Sequence, residues 1–62
     1  MNTQEIEAIV QQVISDFQER KQSYKDGEKG LIGFFVAQVR IKSNGQANSQ
    51  EAMDILKREL SR

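Results

Sequence analysis

The sequence predicts an all-α fold, a small bundle of three helices plus one short helix. Three observations lead there. Apolar residues recur at helical spacing in the first and last thirds of the chain. Glycine and short polar clusters divide the chain, and proline is absent. The single strand-like run has no second strand to pair with, which would leave its backbone groups unsatisfied. With 62 residues, 37% of them hydrophobic, there is room for one domain with one modest core. A chain this short buries roughly 60% of the surface its unfolded form exposes, so its stability is a few kcal/mol at most unless a partner adds to it.

The first helix is expected over about 4–15. Ile6, Ile9, Val10, Val13, Ile14 and Phe17 lie on one face, and Asn2 or Thr3 can cap the start. A second, short helix follows over 17–25. It is strongly polar, with only Phe17 and Tyr24 to bury, so it should lie across the others. Asp16 to Glu19 fit a capping box for it, although Ser15 and Asp16 could equally continue the first helix. Gly27 suits the left-handed conformation that ends a helix.

The third helix is expected over 28–42 and is the most apolar, carrying Leu31, Ile32, Phe34, Phe35, Val36, Val39 and Ile41. Its length is excessive for a strand in so small a protein. It looks apolar on most sides, which makes it the expected central helix. Gly30 and Gly33 each cost about 1 kcal/mol relative to Ala inside a helix. With Ala37 they form a row of small residues, expected to be a helix-crossing point, the alternative being close approach by the backbone of a ligand. Ser43 to Gln46 form a turn. Asn48 and Glu51 then open the last helix, over 49–61, as cap and return partner. Its apolar face holds Ala52, Met53, Leu56 and Leu60 with Ile55 alongside, and Arg58 and Arg62 suit the dipole at its C-terminal end.

Chemistry is narrowly bounded. Cys and His are absent, which removes disulfides, thiolate and imidazole catalysis and the usual zinc sites. Glu5 and Glu7 point in different directions on a helix, while Asp26 and Glu28 flank a turn. No nucleophile, acid–base pair or phosphate-cradling loop is assembled, so neither catalysis nor a metal or cofactor is expected of the chain by itself. The polar N-terminus does not read as a secretory signal, and no apolar run reaches the roughly 20 residues of a membrane span. The expected compartment is the cytoplasm or an organellar matrix, away from any membrane.

Net charge is zero, but its distribution is uneven. Residues 1–18 hold Glu5, Glu7 and Asp16 and no base. Residues 19–42 hold Arg20, Lys21, Lys25, Lys29, Arg40 and Lys42 against three acids, and residues 43–62 balance. The middle of the chain is therefore the candidate face for a polyanion. A helix-turn-helix DNA reader built on the last two helices would turn Glu51 and Asp54 toward phosphates, which disfavours it.

The run Gly30-Leu31-Ile32-Gly33-Phe34-Phe35-Val36-Ala37-Gln38-Val39, with the later turn Gly45-Gln46-Ala47-Asn48, resembles the signature of the C-terminal tail domain of GatB, a component of the tRNA-dependent amidotransferase, shared with the YqeY family. That signature reads approximately Gly-Phe-(Leu/Phe)-Val-Gly-Gln-Val-Met-Lys, then Gly-x-Ala-Asn-Pro. The closing Asp54 to Leu60 segment and the leading Ile6 to Tyr24 region also fit, so the resemblance covers nearly the whole chain. Departures fall at Ala37 for Gly, Arg40 for Met, Ile41 for Lys and Ser49 for Pro. Positive charge survives at Arg40 and Lys42, one position to either side, a rotation of about 100° on a helix.

The resemblance implies a fragment or relative of GatB. Such a chain would be a non-catalytic helical module that contacts tRNA and helps select the misacylated Glu-tRNA(Gln) or Asp-tRNA(Asn). The other amidotransferase subunits or domains would be its protein partners, and the glutamine- and ATP-dependent chemistry would lie elsewhere. The candidate RNA-binding residues are Lys25, Lys29, Arg40, Lys42, Ser43, Gln46 and Asn48. Basic side chains would meet phosphates and the turn would offer polar donors. The alternative is a protein-interaction or homodimerisation module without RNA binding, suggested by the apolarity of the third helix.

Overall fold

The computed structural model describes residues 1–61, so Arg62 and its expected place near the final helix dipole lie outside the described residues. Four helices follow in order: α1 (Thr3–Asp16), α2 (Gln18–Lys25), α3 (Leu31–Lys42) and α4 (Ser49–Leu60). Every pair of helices is in contact. No strand occurs among the described residues, and no helix is long and apolar enough to cross a membrane.

The start of α1 is fixed by a complete capping box. Asn2 Oδ1 accepts from the Glu5 N–H at 2.8 Å, and Glu5 Oε1 accepts from the Asn2 N–H at 3.2 Å. At the start of α4 only half of the expected box forms. Asn48 Oδ1 accepts from the Glu51 N–H at 3.0 Å, while the Glu51 carboxylate instead accepts from the Thr3 hydroxyl at 2.8 Å. That exchange joins the N-termini of α1 and α4. The capping box expected at Asp16–Glu19 does not form. Asp16 ends α1, and α2 begins after Phe17 without a side-chain cap. Phe17, at φ −125° and ψ 54°, makes the corner that lays α2 across the bundle.

The core takes Ile6, Val10, Val13 and Ile14 from α1, Tyr24 from α2, Phe35 and Val39 from α3, and Ala52, Ile55, Leu56 and Leu60 from α4. Ala47 joins from the loop before α4. Phe34 is half-buried, standing edge-on to both Phe17 and Phe35 with centroids 5.0 and 5.5 Å away.

Two expectations for α3 are corrected. Its helix begins at Leu31, not at residue 28. Gly27 has φ +125°, and the amides after it leave the helical pattern: the Glu28 N–H reaches back to the Ser23 carbonyl, the Lys29 N–H to the Gly27 carbonyl, and the Leu31 N–H to the Glu28 carbonyl. Nor is it the central helix expected from its apolarity: α1 and α4 supply more of the core, and only Phe35 and Val39 of α3 are fully withdrawn from water.

Candidate nucleic-acid interface

The row of small residues faces solvent. Gly30, Gly33 and Ala37 are exposed, and a Cβ built at either glycine meets nothing within 4 Å. No other helix crosses there, so the expected crossing point within the bundle is absent. The physical reason is the phase of the helix. Phe35 and Val39, four apart, turn inward, and Gly33 and Ala37, also four apart, are carried to the opposite side. Arg40 and Ile41 lie seven and eight positions after Gly33 and share this side, and Ile41 is 66% exposed. Solvent therefore meets a low, nearly bare helix face closed at its C-terminal end by one cation and one large apolar side chain.

The seven candidate residues do not form one cluster. Lys25 ends α2 and Lys29 lies in the turn before α3, its ammonium 4.3 Å from the centre of the Tyr24 ring. Arg40, Lys42, Ser43, Gln46 and Asn48 lie at the other end of α3. A 12-residue helix separates the two groups by roughly 17 Å.

Within the second group the roles divide further. Lys42 reaches back to α1 and pairs with Asp16 at 3.2 Å. Ser43 is only 4% exposed; its hydroxyl donates to the Arg40 carbonyl and accepts from the Ala47 N–H, both at 3.1 Å. Asn48 caps α4. Arg40 and Gln46 are exposed, and Arg40 has no ion-pair partner among the described residues. Arg40 and Lys42 diverge because two helical steps, a rotation of about 200°, leave their side chains about 160° apart.

Arg20 was not among the sequence candidates. Its guanidinium lies 4.6 Å from the centre of the Phe34 ring, and Phe34 stands beside Ala37 and Ile41 on α3. The cation therefore borders the bare face from α2. Nothing in the spacing of Arg20 along the sequence signals this, because it depends on how α2 crosses α3.

No group of three or more metal-ligating side chains occurs among the described residues. The fold and this surface define a small helical module with one sparsely covered, solvent-exposed helix face. The profile of the GatB domain (GatB/YqeY) matches residues 1–60, and the chain belongs to that family. It is 39% identical over 59 residues to the GatB component of the aspartyl/glutamyl-tRNA(Asn/Gln) amidotransferase from Halorhodospira halophila, covering 95% of this chain and 12% of that protein. It is 40% identical over 60 residues to the same component from Clostridium novyi, covering 97% and 13%. For the counterpart from Thermosipho melanesiensis the identity is 36% over 53 residues, covering 86% and 11%. The chain thus spans about an eighth of the length of the curated relatives it matches. No solved structure matches it significantly.

Proposed function

We propose that this chain is a tRNA-binding module of the amidotransferase type, working in the cytoplasm alongside other amidotransferase subunits or domains. The match of residues 1–60 to the GatB domain carries the reading, since the matched relatives are named as components of an enzyme acting on aspartyl- and glutamyl-tRNA. The surface of α3 is consistent with it. A phosphodiester backbone is bulky and charged, and it approaches closely where side chains are small and a cation is near. Gly33 and Ala37 provide the first condition and Arg40 the second, with Lys29 and Gln46 near the two ends of the helix. Of the other candidates, Lys25 lies at the Lys29 end, while Lys42, Ser43 and Asn48 act chiefly in holding the fold.

A second reading rests on Ile41. A side chain of this kind, 66% exposed beside Gly33 and Ala37, also suits a protein surface, a second copy of the chain included. Binding to total tRNA at two salt concentrations, measured beside the molecular mass in solution, separates the two. The tRNA reading requires binding at low salt that weakens as salt rises. A stable dimer that ignores tRNA at low salt overturns it in favour of the second.

A further inference from the structure

The turn that ends α3 carries the sequence's one Asn-Gly pair, Asn44-Gly45. Asparagine is chemically most labile before glycine, because an unhindered backbone nitrogen can reach its side-chain Cγ. Both residues are exposed, and both have positive φ, +57° at Asn44 and +77° at Gly45. They form the two-bond cap of a helix C-terminus. The Gly45 N–H donates to the Arg40 carbonyl at 2.7 Å, and the Asn44 N–H donates to the Ile41 carbonyl at 3.1 Å. The nitrogen that would attack is thus held in the helix cap.

Further bonds brace this turn. The Gln46 N–H donates to the Ser43 carbonyl at 3.1 Å. The Ser43 hydroxyl joins the Arg40 carbonyl to the Ala47 N–H, and Ala47 is buried at 3% exposure. Gly45 cannot leave the Arg40 carbonyl without disturbing a loop that is anchored in the core.

We propose that Asn44 is a deamidation site whose rate is set by opening of the α3 cap, and whose product weakens that cap. In the opened turn, solvent base removes the Gly45 amide proton and the nitrogen attacks Asn44 Cγ. The bond from Cγ to the side-chain nitrogen breaks, and that nitrogen leaves as ammonia with a proton from water. Water then opens the resulting five-membered imide at either carbonyl, giving aspartate or isoaspartate. One water is consumed and one ammonia released, with no oxidant or cofactor. Either product places a carboxylate at the C-terminal end of α3, where the helix dipole disfavours negative charge. Isoaspartate also lengthens the backbone by one carbon and breaks the register of the two cap bonds.

The test is to incubate the full chain at mildly alkaline pH, in native buffer and in unfolding urea, and to quantify aspartate and isoaspartate at residue 44 by peptide mass spectrometry. The native chain should react more slowly by about tenfold or more, the factor being the opening equilibrium of the turn. Gly45→Ala should slow the reaction in urea, identifying its nitrogen as the attacking atom. Ser43→Ala should raise the native rate toward the urea rate and leave the urea rate unchanged. Circular dichroism checks that this variant is folded. Should it be unfolded, the wild-type rate across sub-denaturing urea takes its place and should rise as the turn opens. Equal rates in native and unfolded chains overturn the gating, and an unmodified Asn44 in urea overturns the site. An Asn44→Asp chain that melts with the wild type overturns the weakening of the cap.

Discussion

Arg58 on α4 donates from Nη2 to Glu7 Oε2 on α1 at 2.7 Å, and from Nε to the nearly buried carboxylate of its neighbour Glu59 at 3.3 Å. Gln11 of α1 also donates to Glu59. One side-chain network thus links α1 and α4 beside the core. The hydrogen bond to Glu7, and then that to Glu59, hold the Arg58 guanidinium above its ordinary pKa. A raised folded-state pKa stabilises fully below the unfolded value and is lost only as pH rises through the folded one. Arg58 therefore contributes no pH dependence of its own across the neutral range. Arg58→Ala should lower the melting temperature, little through the exposed pair with Glu7 and more through the nearly buried Glu59 carboxylate, which loses the Arg58 Nε–H, and by the same amount at mildly acidic and mildly alkaline pH. A loss confined to one side of neutrality would contradict this.

Ser43→Ala should be the costly substitution among the polar candidates. It removes the hydroxyl that accepts from the Ala47 N–H, in a segment where both residues are buried. An unsatisfied buried donor costs about 1–3 kcal/mol. In a domain of this size each kcal/mol lowers Tm by roughly 4–8 °C. Asn48→Ala should cost about 1 kcal/mol through loss of the α4 cap, whereas Asn48→Asp should retain stability because aspartate caps equally well. Thermal denaturation of the three variants checks both statements.

The arrangement of the helices was legible because it follows from local rules. The Asn2 and Asn48 caps, the Gly27 stop and the inward faces of α1 and α4 are set by residues close in sequence. The environment of α3 was not legible. Apolar residues surround its whole circumference, so periodicity alone could not tell which side meets the core. Half-burial of Leu31, Ile32, Phe34 and Val36 absorbs much of that apolarity and leaves the small residues outside. The candidate site suffered from the same limit. A basic middle segment was plain from charge counting. That Lys42 is paired to Asp16 while Arg40 is open depends on contacts between residues 26 positions apart.

That asymmetry yields a paired prediction on the proposed tRNA surface. Arg40→Ala should reduce the slope of log affinity against log salt by about 1, the signature of one phosphate contact. Its stability should stay within about 0.5 kcal/mol of the wild type, as for other exposed substitutions. Lys42→Ala should leave the salt slope nearly unchanged, because its ammonium pairs with Asp16 in the free protein. Equal slopes for wild type and Arg40→Ala, in chains shown to be folded, would remove Arg40 from the interface.

Gly33 offers the sharpest separation of fold from function. It stands inside α3 on the solvent side, away from positive φ, and nothing lies within 4 Å of a Cβ built there. Alanine at such a position lacks the conformational penalty of glycine, so Gly33→Ala should stabilise the chain by up to about 1 kcal/mol. A residue that lowers stability without a packing role is expected where function needs the space. Gly33→Gln should also fold, since the added side chain points into open solvent, but it would stand between α3 and any backbone laid against it. On the tRNA reading, Gly33→Ala binds with little change, and Gly33→Gln loses affinity without any change in salt slope, because bulk and not charge has been altered. Melting temperatures and tRNA titrations of the two variants provide the check. Unaltered tRNA affinity in a folded Gly33→Gln chain would move the contact off the bare face of α3.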